Sequence, residues 1–221
     1  MRRGRKSVAS SEKSDFNSSV YPHLCFVIAG KWMTPFCLLL QKGFMIRANV
    51  GCSVEGFLRE QIGLSPHTIE TIQSIFLDGS PVDDLASAII KDGSRLALSA
   101  AMPGLVGATL RRGGAYSSFR STITYRETGT QRVSGEGFVQ MKLFNLIMDE
   151  LGPDFLKRGI FVRPSDLMDF LSGQSGDFWR ECVQVLLDGK PVKAGSQEDI
   201  AWLSQYERVF LSVDVGNENA A

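Results

Sequence analysis

Two stretches of this chain carry one pattern in the same order, and a chain that does so is expected to build related units. Leu77-Asp78-Gly79-Ser80-Pro81-Val82 matches Leu187-Asp188-Gly189-Lys190-Pro191-Val192, and upstream Phe57-Leu58 matches Phe170-Leu171. Before them Met45–Val50 overlays Gly159–Arg163, and after them Arg95–Ser99 overlays Arg208–Ser212. Each match has a physical reason. Ser53 and Ser165 stand where a helix N-cap accepts a bond from an orphan amide. Val54, Phe57, Leu58 and Ile62 then share one helical face, and Leu167, Phe170 and Leu171 repeat it. Ile72–Leu77 and Cys182–Leu187 are apolar runs suited to buried strands. Both run into Asp-Gly, where glycine supplies the positive φ of a hairpin turn.

The predicted unit is therefore strand, helix, strand, hairpin, strand. The expected fold class is α+β, with two units in tandem, each a mixed sheet packed on one helix and closing its own core. The first unit is placed at 45–127 with an extra hairpin and the second at 138–216, with 217–221 as a tail. The stretch Thr128–Gly137 is a linker by composition.

The second copy resembles the ubiquitin-like β-grasp sulfur carriers, the small subunit of molybdopterin synthase and the thiamine-pathway carrier. Val139–Asn145 resembles their opening strand, Ile160–Arg163 their second strand and Ser165–Leu171 their helix. Val183–Leu187 with Asp188-Gly189 resembles their central strand, and Lys91–Leu98 in the first copy resembles their tail strand. The resemblance implies a tandem of β-grasp-like units. It also implies a C-terminal Gly-Gly, whose carboxylate those carriers adenylate and convert to a thiocarboxylate. This sequence reads Val215–Ala221 at that place, so carrier chemistry is not expected. Leu110-Arg111-Arg112-Gly113-Gly114 echoes the tail of ubiquitin, but a two-glycine hairpin is the simpler reading. Residues 105–126 are accordingly expected to form two strands about Gly113-Gly114, the second rich in Tyr116, Phe119, Ile123 and Tyr125.

Residues 1–44 look foreign to this pattern. Residues 1–22 are basic and then serine-rich, too poor in apolar side chains to offset chain entropy, and are expected to be disordered. The apolar run Leu24–Leu40 is broken by Lys31 and Pro35, which makes a poor membrane span and a poor signal peptide. Two readings stand: a mis-assigned start, with translation beginning at Met45 as in a bacterial gene, or a genuine extra strand at Cys25–Ala29. In the first case the 105–126 hairpin would supply the missing opening strand.

Lys plus Arg equals Asp plus Glu at 24 each, which removes any global field favouring nucleic acid or an anionic membrane. The 4 cysteines (Cys25, Cys37, Cys52, Cys182) form no close pair, and only His23 and His67 join them, so no zinc site or disulfide scaffold is encoded. The expected compartment is the cytoplasm, with no cofactor, no metal and no membrane contact unless residues 24–40 are an anchor. No Ser-His-Asp order, P-loop or dinucleotide fingerprint occurs.

Three groups remain as candidate sites. Met102-Pro103-Gly104, running on to Gly107, reads as a turn leaving the sheet or as a groove where backbones approach closely. Arg111, Arg112, Arg120 and Arg126 lie near aromatics, as a solvated face or a seat for a phosphate or acidic tail. Cys52 precedes a helix start, where a thiol pKa can be depressed, though no partner residue is in view. The functional expectation is a non-catalytic module that binds or assembles with a protein partner; the alternative is a component of a molybdopterin or thiamine pathway related to the sulfur carriers.

Overall fold

The computed structural model describes residues 21–100, 102–127, 133–195 and 197–216. The chain opens with β1 (His23–Ile28), whose Leu24, Phe26 and Ile28 point inward by simple alternation. A 3₁₀ turn leads into α1 (Met33–Lys42), which buries Met33, Phe36, Cys37, Leu39 and Leu40. Pro35 is tolerated because it sits in the first turn, where its missing N–H has no intrahelical acceptor. Gly43, at φ 116°, turns the chain into β2 (Phe44–Val50).

Ser53 then caps α2 (Val54–Gly56), its side chain accepting from the Gly56 amide at 3.1 Å, and a π-helical stretch Phe57–Ile62 follows. Next come α3 (Pro66–Thr71), β3 (Ser74–Leu77), β4 (Ser80–Pro81), β5 (Arg95–Ser99) and α4 (Gly104–Leu110). The second half runs β6 (Gly135–Phe144), α5 (Leu146–Arg158), β7 (Ile160–Val162), α6 (Pro164–Ser172), α7 (Gly176–Glu181), β8 (Cys182–Leu187), β9 (Lys190–Pro191), α8 (Gln197–Ile200) and β10 (Val209–Val215). Both Asp-Gly turns form: Asp78 and Gly79 stand at φ 52° and 89°, Asp188 and Gly189 at 49° and 78°. Such paired left-handed residues are what a tight hairpin between right-twisted strands requires.

One continuous sheet replaces the two separate sheets expected. Its 10 strands run β4-β3-β5-β6-β2-β7-β10-β1-β8-β9. The halves meet where β2 and β7 pair antiparallel, Met45 opposite Phe161. The edges are β4 and β9, two residues each and each containing a proline, which leaves little for another strand to pair with. Helices α1 and α5 pack side by side over the central strands, and the buried apolar residues form one cluster instead of two cores.

The halves are interleaved. β1 lies between β8 and β10, antiparallel to the first and parallel to the second. β6 lies between β5 and β2, parallel to β5 and antiparallel to β2. Each half of the sheet thus borrows its inserted strand from the other half of the chain.

Several expectations change accordingly. Residues 1–20 lie outside the described residues, but 21–44 supply β1, α1 and the start of β2, with the strand at His23–Ile28 close to the alternative reading of Cys25–Ala29. The proposed boundary at 128–137 falls largely outside the described residues, and β6 begins inside it at Gly135. Residues 105–126 hold α4 and a 3₁₀ turn (Ser117–Arg120) instead of two strands, and β6, not that hairpin, supplies the strand beside β2. Ser165 is not the cap of α6; the helix begins at Pro164, whose fixed φ suits a first helical position.

Candidate functional site

Helices α1 and α5 cover one face of the sheet, which leaves alternate residues on the opposite face without a helical layer. α4 is the helix that crosses this face on the β3–β5–β6 side. Gly104, at φ 77°, turns the chain into it. A Cβ at Gly107 would overlap the Met102 carbonyl, so the close approach of two backbones is confined to glycine there. The Leu110 carbonyl accepts from Ser74 Oγ at 3.4 Å, and the Arg112 amide donates to the Gln73 carbonyl at 2.7 Å, which fixes the helix end to β3.

Arg120 clasps the rest of the segment. It is 4% exposed. Its guanidinium donates to both Asp83 carboxylate oxygens at 2.9 and 2.6 Å, to the Thr109 carbonyl at 2.7 Å and to Thr124 Oγ1 at 2.8 Å. A buried charge is tolerable only when its donors are satisfied in this way.

Between α4 and the sheet lies a cavity of about 320 Å³, floored by Phe76, Ala97 and Phe144 and walled by Met102, Pro103 and Val106. Ser99 and Asn145 supply its few polar groups, with Asn145 Nδ2 donating to Ser99 Oγ at 3.2 Å. A second hollow of about 350 Å³ continues it along the strands, sharing Phe76 and Ala97 and adding Arg95, Gln140 and Lys142. The two form one trough, apolar at the α4 end and cationic at the other. Neither Arg95 nor Lys142 makes an ion pair among the described residues.

Of the residues singled out in the sequence, Met102 and Pro103 line this trough, and Gly104 stands at its entrance helix. The four arginines do not act as one cluster. Arg120 is spent on Asp83, and Arg112 donates to the Ile69 carbonyl at 3.1 Å, while Arg111 and Arg126 are exposed. Burial pushes the Cys52 thiol up, the direction opposite to an activated thiolate, despite opposing hydrogen bonds that include one from Gln61 at 3.3 Å. Sequence reasoning missed Phe76, Arg95, Ala97, Lys142 and Phe144. The alternation in Arg95–Ser99 and Phe138–Phe144 marks their faces, but nothing local says that these two strands are neighbours.

Further along the same face, aromatic rings gather where the halves meet. Phe161 packs edge-on against Phe138 at 5.2 Å and Tyr21 at 5.3 Å, and lies 5.0 Å from Phe210. Arg47 lies over the Phe138 and Phe161 rings at 5.7 Å each, and Arg208 over Phe138 at 4.7 Å. Beyond them His23 Nε2 and Ser212 Oγ are 2.8 Å apart. Burial lowers the His23 pKa, with Asp188 and Asp214 opposing that shift. Burial likewise raises Cys25, and carries Cys37 and Cys182 to about 11. Among the described residues no group of His, Cys, Asp and Glu is arranged to hold a metal ion, and no helix is long and apolar enough to cross a membrane.

Comparison with protein-family models, with curated proteins and with solved structures gives no match for this chain.

Proposed function

We propose that this protein is a non-catalytic binding and assembly module made of two interleaved β-grasp-like units of the kind found in the ubiquitin-like sulfur carriers, and that it engages a protein partner through the 104–124 segment. The β-grasp reading is supported by the central parallel pair of each half, β5 with β6 and β1 with β10, flanked on both sides by antiparallel strands.

One observation carries the binding role. The 104–124 segment holds Leu105, Val106, Phe119 and Ile123 at 73%, 67%, 79% and 55% exposure. Large apolar side chains left exposed to water on a clasped segment mark interaction sites, since a partner that covers them releases their unfavourable hydration. Arg120 holds the segment in one shape, so little ordering entropy opposes association.

The test is site-specific photocrosslinking in native extract from position 119, with position 183, an exposed valine far along the sheet, as control. One discrete protein adduct from position 119, absent from 183 and lost in a Leu105→Ser/Ile123→Ser variant, is the expected result. Identical adducts from both positions, or none from 119, overturn the proposal.

A further inference from the structure

We infer that the trough beneath α4 is a small-molecule site for a compact anionic amphiphile, an apolar body carrying one carboxylate. The site lies on the sheet side of α4; it shares Val106 with the surface assigned to a protein partner but none of Leu105, Phe119 and Ile123.

The shape supports a ligand of this kind. The apolar compartment, about 320 Å³, is within the range of small-molecule sites, and its walls are hydrophobic with few polar groups. Phe76, Ala97 and Phe144 form the floor because they project to one face from three adjacent strands: Phe76 stands opposite Ala97, and Phe144 opposite Ser99, two residues further along β5. Val106 and Met102 form the wall on the helix side. From Ser99 to Arg95 the trough follows β5 for roughly 13 Å, at about 3.3 Å per residue.

The charge supports one sign of ligand. Arg95 at the far end and Lys142 opposite Ala97 line the continuation of the trough, and among the described residues neither is paired with a carboxylate. The neighbouring acid, Asp78, accepts from the Arg95 amide at 2.8 Å and from Ser94 Oγ at 3.4 Å, and so serves the hairpin. A carboxylate seated here gains charge-assisted hydrogen bonds, while its apolar body displaces water from Phe76, Ala97 and Phe144. A cationic amphiphile would meet like charge at the same place.

The arrangement is peculiar to one half. In the other half Leu186 stands opposite Cys25, as Phe76 stands opposite Ala97, and Cys25 pairs with Ser212, as Ala97 pairs with Lys142. Counted inward from the edge strands, a hydroxyl thus stands where the first half has a cation.

The experiment is calorimetric titration of the full chain with decanoate and 2-naphthoate, using decanol and decyltrimethylammonium as neutral and cationic controls. One saturable site for at least one carboxylate is expected, with decanol about tenfold weaker or more, the ratio of a charge-assisted hydrogen bond. The two carboxylates distinguish a chain-like body from a ring-like one. Arg95→Gln/Lys142→Gln is expected to remove the preference for the anion, and Ala97→Phe to abolish binding. Should Ala97→Phe fail to fold, Val106→Asp places a carboxylate at the apolar wall on an exposed helix position and is expected to abolish binding too. No saturable site for either carboxylate, equal affinity for decanol, or binding that survives Val106→Asp overturns the assignment.

Discussion

Met45 lies opposite Phe161 in the antiparallel contact that joins the two halves of the sheet, and the two residues lie on β2 and β7, the strands that the internal repeat overlays. Gly43 and Gly159, which precede them, both stand at positive φ, 116° and 90°. Equivalent strands therefore face each other across the junction, as the same patch does in a two-fold dimer. The halves are not built alike beyond that junction: β3 pairs directly with β5, whereas their repeat counterparts β8 and β10 are separated by β1.

Removing residues 1–44 is expected to unfold the protein. The cut takes away β1 from between β8 and β10 and strips the core of Leu24, Phe26, Ile28, Phe36, Leu39 and Leu40. At about 1.5–3 kcal/mol for each large apolar side chain, the loss reaches the entire stability of an ordinary domain. Circular dichroism and amide NMR dispersion of a chain starting at Met45 measure it; a folded spectrum would contradict the role of β1.

Cleaving the chain within residues 128–132 is expected to give two fragments that are unfolded apart and folded together. Each fragment carries a strand whose hydrogen-bonding neighbours are in the other, β1 beside β8 and β10, and β6 beside β5 and β2. Co-expression followed by size-exclusion chromatography reads the outcome. Either fragment giving a cooperative melt alone would argue for two autonomous domains.

Arg120→Ala is expected to loosen the 104–124 segment by about 1–3 kcal/mol, because Asp83, itself partly exposed, and the Thr109 carbonyl lose their charged donor. Arg120→Lys should rescue little, since an ammonium cannot reproduce the fork that reaches both Asp83 oxygens and the Thr109 carbonyl. Hydrogen exchange in α4, compared with that in β2 and β10, separates this local effect from a global one.

Gly107→Ala is expected to lift α4 from the sheet, as the new methyl would collide with the Met102 carbonyl. The core strands need not move. Rising protease sensitivity around 102–110, with a nearly unchanged melting temperature, is the signature to look for.

The thiols and His23 bound the pH range of stability from opposite sides. Cys37 and Cys182 rise from an ordinary 9.0 to about 11, so the folded chain holds these protons more tightly than the unfolded chain. Their contribution is complete below pH 9.0 and is lost as pH climbs through about 11. His23 is lowered from 6.5, so its contribution is present above pH 6.5 and falls away on acidification below it. Urea denaturation across pH, with His23→Gln and Cys37→Ala as controls, checks both limbs. An alkaline limb unchanged in Cys37→Ala would show that other groups govern it.

The sequence by itself determined the local parts of this protein. The Asp-Gly turns, the Ser53 cap, the apolar stripe of Val54, Phe57 and Leu58 and the α+β class all follow from backbone and side-chain preferences that act over a few residues. Local preference failed at 105–126, where aromatic and β-branched residues suggest strands; the close packing at Gly107 and the Arg120–Asp83 clasp hold a helix and a turn instead.

Only the tertiary structure decided which strands are neighbours. Leu24, Phe26 and Ile28 in β1 alternate just as Val139, Met141 and Leu143 do in β6, so the pattern tells each strand which face to bury and nothing about whom to pair with. That choice rests on contacts between residues far apart in the chain, such as Cys25 with Ser212 and Ala97 with Lys142. The trough exists because of it: its floor and its two cations come from β3, β5 and β6, and they become a site only when those strands lie side by side.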